Sequence, residues 1–225
     1  MRQTVSLPFM ALGILFCVCL IISNILEVKM IEIGNITATA GLIVFPISYI
    51  INDCIAEVWG YRKARLIIWA GFAMNFLAVA FFQLAILLPS AKFWDGQTAF
   101  VSVFTATPRI AIASLVAFLV GSFLNAYIMS KMKIASNGKR FSLRAIVSTL
   151  GESADSLLFF PIAFAGIVPI KELFILIITQ AILKSVYEIL ILPVTIKVVR
   201  YIKKIDGSDV YDTNVSYNIL KIKEV

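Results

Sequence analysis

The amino-acid sequence predicts an all-α integral membrane protein with six transmembrane helices and both termini in the cytoplasm. Hydrophobic residues make up 60% of the 225 residues and charged residues only 15%, whereas soluble domains average about 45–50% and about 25%. Six apolar stretches are long enough to cross a bilayer, and basic residues concentrate in alternate connections between them. One soluble core of this size cannot bury so large an apolar excess. The composition therefore argues against a soluble enzyme or a nucleic-acid-binding module.

Each predicted helix meets the length that a bilayer requires. A transmembrane helix needs about 20 mostly apolar residues, since the hydrocarbon core is about 30 Å thick and each residue rises about 1.5 Å. The first stretch has too long an apolar run for a signal peptide and lacks a small-residue cleavage pattern, so we expect it to be retained. The six predicted helices are Pro8–Leu26, Ile36–Val58, Ala64–Leu88, Arg109–Ser130, Ala145–Ile167 and Glu172–Val199.

The charges between the helices predict their orientation. Most of the 20 basic residues, which give a net charge of +7, fall on one side; the positive-inside rule makes that side cytoplasmic. These basic stretches are short, adjoin helices and lack interleaved aromatic residues, so orientation accounts for them better than nucleic-acid binding. We expect residues 1–202 to form the membrane domain and residues 203–225 a flexible cytoplasmic tail. The cytoplasmic basic residues include Arg62, Lys63, Arg65, Lys131, Lys133, Lys139, Arg140, Arg144, Lys203 and Lys204.

Three predicted helices carry ionisable residues at membrane depth. A charged side chain at the bilayer centre costs about 2.5–3.5 kcal/mol on insertion scales, so such residues usually face a protein interior or a watery cavity. Their spacing of three or four places each pair on one helical face, which predicts a shared polar chamber. Counting from the helix ends puts Asp155, Glu188 and Lys184 in a central layer. The three pairs are Asp53 with Glu57, Glu152 with Asp155, and Lys184 with Glu188.

The balance of these charges favours a binding site over simple neutralisation. Five acids face one lysine, so the surplus negative charge calls for cations, protons or a cationic or proton-donating ligand. A purely structural pair of Lys184 with Glu188, and a structural Glu57 beside the Arg62–Arg65 loop, remain open alternatives. The chain has no histidine, and its three cysteines lie in apolar runs without metal-ligand spacing. No metal and no cofactor is therefore predicted.

Arg109 stands at the start of the fourth predicted helix, where the helix macrodipole disfavours a cation. Either a carboxylate or a bound acceptor compensates its charge, or the side chain reaches to interfacial water. We expect it to line the outer entrance.

The sequence resembles the queuosine precursor transporter family, also called the vitamin uptake transporter family. The resemblance covers about residues 20–200. It rests on the run from Phe45 to Asp53, the run from Glu57 to Arg62, the run from Arg109 to Ser114, the run from Ser148 to Gly151 with Asp155 and Ser156, and Lys184 with Glu188. It implies a six-helix importer of 7-deazaguanine precursors of queuosine, similar in fold to the substrate-binding subunits of vitamin importers. Glu152 departs from the family pattern, in which an amide is more usual, so its contact with a ligand is in question.

The predicted site suits that substrate. One carboxylate can accept the two parallel N–H donors of a 7-deazaguanine, and we assign this role to Asp155 or Glu188, with Lys184 donating to the carbonyl oxygen. The flat ring would stack on an aromatic side chain, for which Phe159, Phe160 and Tyr187 are candidates. Asp53 would guard the inner half. The full set of predicted substrate-binding residues is Asp155, Glu188, Lys184, Glu152, Asp53, Arg109, Tyr187 and Phe160.

The same residues also allow other functions. The chain could be the substrate-binding subunit of an ATP-driven vitamin or nucleobase importer, or a structural subunit. Asp53 and Asp155 also suggest an intramembrane aspartyl protease, but such enzymes need Tyr-Asp and Gly-x-Gly-Asp, whereas Asn52 and Ala154 precede these aspartates. The expected partners are a small heterocycle and the lipid bilayer, without nucleic acid. Energy coupling and assembly into homo-oligomers stay open.

Overall fold

The computed structural model describes residues 5–34 and 36–221, with the side chains of residues 33 and 152 excepted. Helices form most of the described chain. The elements in order are α1 (Leu7–Leu26), β1 (Met30–Ile33), β2 (Ile36–Thr39), a 3-10 turn (Ala40–Ile43), α2 (Phe45–Leu87), α3 (Gln97–Phe104), α4 (Thr107–Ala135), α5 (Phe141–Phe164) and α6 (Ile170–Asp206).

Five helical stretches within the described residues are long and apolar enough to cross a membrane. The sequence predicts six, and the difference arises because the second and third predicted helices are merged in α2. The five stretches are Leu7–Leu26, Ala40–Leu87, Gln97–Ala135, Phe141–Phe164 and Ile170–Asp206.

Helix α2 is bent back on itself at Gly60. The rings of Phe45 and Phe72 both pack on Phe118 of α4, with centroid distances of 5.7 and 5.5 Å. A straight helix would separate Phe45 from Phe72 by about 40 Å, so the two arms of α2 must run side by side. Gly60 has φ of 81°, a left-handed conformation that glycine adopts without steric cost. The merged helix is therefore a hairpin of two helical arms.

The connection between α1 and α2 corrects the all-helical prediction. Strands β1 and β2 form an antiparallel hairpin in which Met30 pairs with Thr39, so the first four residues of the predicted helix Ile36–Val58 are extended. β2 alternates an apolar residue with threonine, as Ile36, Thr37, Ala38 and Thr39, and threonine and isoleucine are both common in strands. The hairpin is tied to α6, because Gln180 Nε2 donates to Thr39 Oγ1 at 2.7 Å.

Helices α4 and α5 cross at two glycines. A Cβ placed on Gly121 would lie 2.7 Å from the backbone oxygen of Gly151, and one placed on Gly151 would lie 2.5 Å from that of Gly121. Small residues at such crossings let membrane helices approach closely. The same crossing places the backbone of Gly121 beside Asp155 and the Tyr49 hydroxyl.

The chain after α6 is held against the bundle. Helix α6 continues to Asp206, and the segment that follows, within the predicted tail of residues 203–225, runs along the α2 bend. Asp212 Oδ2 accepts hydrogen bonds from the Tyr61 amide at 2.9 Å and from Ser130 Oγ at 2.6 Å. Arg65 Nη1 donates to the backbone oxygen of Asn218 at 2.6 Å. Residues 222–225 of the predicted tail lie outside the described residues.

Candidate functional site

The centre of the bundle holds an ion pair between α5 and α6. Lys184 Nζ lies 3.1 Å from Asp155 Oδ2, and both side chains are almost fully buried, at 1% and 0% exposure. The same ammonium lies over the ring of Phe45 at 4.1 Å and over that of Phe160 at 5.8 Å, where cation–π attraction adds to the ion pair. Lys184 thus makes its ion pair with Asp155, in place of the Lys184–Glu188 pair considered from the sequence.

Glu27 joins this centre, and the sequence reasoning missed it. It is the first residue after α1, is only 1% exposed, interacts electrostatically with Lys184 and Asp155 and is hydrogen-bonded to Thr39. Burial raises the pKa of Glu27 to about 7. Its carboxyl group also packs directly on Gly41, where a Cβ would collide with it. The available signal was an acid at the C-terminal end of an apolar helix, where the macrodipole disfavours an anion.

Two buried oxygen atoms near the ion pair accept no hydrogen bond from the described residues. Asp155 Oδ1 and Gln180 Oε1 are buried and have no hydrogen-bonding partner within the part of the chain that the structure describes. Gln180 precedes Lys184 by one helical turn, so the two share a face of α6. Buried polar groups are normally satisfied, and two free acceptors beside a lysine could receive N–H groups of a ligand.

A second acidic layer lies on the other side of Lys184. The carboxyl groups of Asp53 on α2 and Glu188 on α6 face each other, with the Asn125 side chain against Asp53. Ser148 Oγ approaches Asp53 Oδ2 at 3.5 Å. Asp53 and Glu188 are only 1% and 3% exposed. The structure therefore groups Glu188 with Asp53, whereas the sequence placed it in the layer of Asp155 and Lys184.

Glu57 belongs to a separate cluster near the α2 bend. Its carboxylate contacts Lys203 at 2.7 Å, Arg144 at 3.0 Å and Lys133 at 3.9 Å. Lys133 and Lys203 also bind Asp209 of the tail, at 2.5 and 2.8 Å. These cations come from α4, α5 and α6 rather than from the Arg62–Arg65 loop. Surrounded in this way, Glu57 holds helix ends together.

Arg109 has partners of its own at the C-terminal end of α5. Its Nε donates to the backbone oxygen of Ile162 at 2.8 Å, and its Nη2 to that of Ala165 at 2.6 Å. These carbonyls belong to the C-terminal end of α5, where a cation is favourable. The backbone of a neighbouring helix therefore compensates the charge that the start of α4 disfavours.

The predicted aromatic residues differ in their setting. Phe160 is fully buried and stacks on Phe164 with a centroid distance of 5.8 Å. Tyr187 is half-buried on α6. Glu152 lies on α5, but its side chain is outside the described residues. The structure thus brings together Asp155, Lys184 and Phe160, and separately Asp53 and Glu188.

Among the described residues, no group of three or more His, Cys, Asp or Glu side chains could hold a metal ion. Asp53 and Asp155 also lie in different layers, one facing Glu188 and the other Lys184. They do not form the aspartate pair that an intramembrane protease needs.

Apolar helices that enclose buried charges define a multi-pass membrane protein with a polar interior. Residues 39–198 match the family described as "Putative vitamin uptake transporter", and the chain belongs to that family. The protein is accordingly a transporter of the cell membrane rather than an enzyme, and it handles a small molecule within the membrane. This confirms the family resemblance drawn from the sequence.

Three curated relatives carry closely related names. A "Probable queuosine precursor transporter" of Bacillus subtilis (strain 168) is 28% identical over 173 residues, 76% of each chain. The "Queuosine precursor transporter" of Escherichia coli (strain K12) is 29% identical over 63% of this chain and 62% of the relative. A "Probable queuosine precursor transporter" of Haemophilus influenzae is 30% identical over 56% of this chain and 52% of the relative. No solved structure matches the chain.

Proposed function

We propose that this chain imports 7-deazaguanine precursors of queuosine through the buried acidic site. The candidate substrates are 7-cyano-7-deazaguanine, 7-aminomethyl-7-deazaguanine and queuine. The names of the three relatives support this substrate class. The observation that carries the proposal is the buried pair of Lys184 and Asp155, 3.1 Å apart, because it offers one strong donor and one strong acceptor to the same small molecule.

The chemistry of the two side chains matches one edge of the heterocycle. A 7-deazaguanine presents two parallel N–H donors beside a carbonyl oxygen, so Asp155 can accept the donors while Lys184 donates to the oxygen. Each buried charge then keeps a partner when the ion pair opens, which avoids the large cost of an uncompensated buried charge. Phe45 and Phe160, already packed around Lys184, are placed for stacking on the flat ring.

The layer of Asp53 and Glu188 fits a positively charged substituent. Glu188 follows Lys184 by one helical turn and faces Asp53. These two carboxyl groups can accept hydrogen bonds from the ammonium group that the aminomethyl form of the substrate carries. Asp53 would thus attract this substrate on the inner half of the path. The uncharged cyano form would gain nothing there, so the layer would favour the amine.

The chain would cross the membrane six times, because the two arms of α2 each run through the bundle. Trp59, beside the α2 bend, packs on Phe9 at the start of α1 with a centroid distance of 5.2 Å and donates to Asp206 at the end of α6 at 2.7 Å. The start of α1 and the end of α6 therefore both lie beside the α2 bend. The basic residues Lys133, Arg144 and Lys203 gather at the same end, which makes it cytoplasmic by the positive-inside rule.

Uptake of labelled 7-cyano-7-deazaguanine by cells that express this chain alone tests the proposal. The host should lack its own precursor transporter. We expect uptake with the wild type and loss of uptake with Asp155→Asn and with Lys184→Ala, after normalising for protein in the membrane. Lys171→Ala, an exposed residue at the start of α6, serves as control. Full uptake by both site variants would refute the assignment.

A vitamin is a second candidate substrate, because the family description names vitamin uptake. Competition of unlabelled vitamins against the labelled deazaguanine distinguishes the two. Uptake that appears only with a co-expressed ATP-driven module would identify a binding subunit instead of an autonomous carrier.

A further inference from the structure

A cavity of about 410 Å³ lies between the end of α4 and the start of α5. It is separate from the central ion pair and is on the side of the bundle that carries the α2 bend. The residues that line it include Met132, Asn137, Lys139, Arg140, Leu143 and Arg144. The lining thus combines three cations with apolar side chains and contains no acid.

Arg144 is the residue of this cavity whose buried hydrogen-bond donors indicate a ligand. Its side chain is fully buried, and its Nη2 contacts Glu57 at 3.0 Å. Its Nε and Nη1 are buried as well, yet neither has a hydrogen-bonding partner among the described residues. Unused donors on a buried guanidinium are rare in proteins. An anion that enters the cavity could accept hydrogen bonds from the Nε and Nη1 groups of Arg144.

Two further features of the cavity favour negative charge. Helix α5 is 24 residues long and starts at Phe141 without a side-chain cap, so the positive end of its macrodipole and its first amide groups face this region. Lys139 and Arg140 are exposed at the rim and have no acidic partner within the described chain. Orientation in the membrane explains exposed cations here, but it does not explain a buried guanidinium with free donors.

We propose that this cavity binds a phosphate group, held by Arg144 with Lys139 and Arg140 at the rim. Guanidinium groups bind phosphate oxygens in a bidentate manner, and lysine adds a point charge. Two sources share this chemistry: the headgroup of an anionic phospholipid and free phosphate in the cytoplasm. The half-exposed side chain of Leu143 gives the headgroup a neighbouring apolar surface for its acyl chains.

Thermal unfolding of the purified full-length protein tests the site with two probes. In one arm, nanodiscs of phosphatidylcholine are compared with nanodiscs that also contain phosphatidylglycerol. In the other arm, potassium phosphate is compared with potassium chloride at equal ionic strength in detergent. At about fivefold excess over its dissociation constant, a bound ligand should raise the unfolding midpoint by about 2–4 °C. A shift in the lipid arm identifies a headgroup site, and a shift in the phosphate arm identifies a free-phosphate site.

The deciding variant is Lys139→Gln combined with Arg140→Gln. Arg144→Gln is more direct, but it also breaks the contact with Glu57 and so threatens the fold. The matched control is Lys197→Gln combined with Lys204→Gln, which removes the same charge from exposed positions of α6. We expect the shift to be lost in the first double variant and kept in the second. No shift with either probe, or an equal shift in both double variants, overturns the proposal.

Discussion

Lys184 and Asp155 form a contact of 3.1 Å inside the helix bundle, and neither side chain reaches solvent. A buried pair of this kind is weak evidence for stability, because desolvation costs about as much as the attraction gains. We propose that a ligand uses both charges, which also accounts for the position of Lys184 over the rings of Phe45 and Phe160.

The first prediction concerns this pair. Lys184→Met should lower the free energy of unfolding by about 3–5 kcal/mol, because it leaves the Asp155 carboxylate buried without its cation. The double variant with Asp155→Asn should recover much of that loss but still fail to transport. Unfolding of the purified variants, measured beside uptake, checks both statements. Equal stability of the single and the double variant would contradict the first of them.

The second prediction concerns pH. Because burial raises the pKa of Glu27 from 4.5 to about 7, the folded state holds a proton that the unfolded state releases, so stability should fall as pH rises through that interval. Above about pH 7 this contribution should level off. Unfolding midpoints between about pH 5 and about pH 8 should show a weaker fall in Glu27→Gln. Glu32→Gln, which changes an exposed acid of the β-hairpin, should retain the wild-type slope.

The third prediction concerns the crossing of α4 and α5. Gly121→Ala should destabilise the protein by about 1–3 kcal/mol, the usual cost of overpacking, because the added methyl group would meet the backbone oxygen of Gly151. Gly13→Ala is the comparison, since its methyl group would meet only the end of the Ile67 side chain. A larger loss of stability in Gly13→Ala would argue against a tight crossing at Gly121.

The fourth prediction separates Glu57 from the substrate path. Glu57→Gln should cost about 3 kcal/mol of stability, because the cluster of Lys203, Arg144 and Lys133 loses the anion that compensates it. The KM for uptake should stay at the wild-type value once membrane protein is normalised. Asp53→Asn should instead raise the KM for the aminomethyl substrate. Measuring the KM of both variants in one uptake assay tests whether Glu57 lies on the substrate path. A raised KM in Glu57→Gln would place that residue in the site.

The fifth prediction tests how the tail is attached. Asp212→Ala should lower the free energy of unfolding by about 2 kcal/mol, because the Tyr61 amide and Ser130 would lose their acceptor in a buried setting. Thr213→Ala changes the exposed neighbouring residue and should have little effect. An Asp212→Ala protein as stable as the wild type would mean that the tail contributes little to the fold.

Apolar length and the scarcity of charge were enough to predict the stretches of the described chain that can cross a membrane, although two of the six predicted helices are merged in α2. They also predicted the burial of Asp53, Asp155 and Glu188. The β-hairpin escaped prediction because β2 directly continues into the apolar run of the predicted helix Ile36–Val58, and β1 is too short to be distinguished from a connection. Glu27 escaped because an acid just beyond an apolar run looks like an interfacial residue. Its burial depends on the hairpin that brings Thr39 and Gly41 back onto its carboxyl group.

The resemblance of several sequence runs indicated the transporter family, while composition and spacing predicted that this chain lies in a membrane and places acidic residues of several helices in its interior. They did so because the bilayer penalises each exposed charge locally, residue by residue. Only the tertiary structure decided which charge meets which: Lys184 with Asp155, Glu188 with Asp53, and Glu57 with the cations of three helices. Partner choice depends on helix rotation and depth to within an ångström or so, and packing at contacts such as Gly121 with Gly151 sets both.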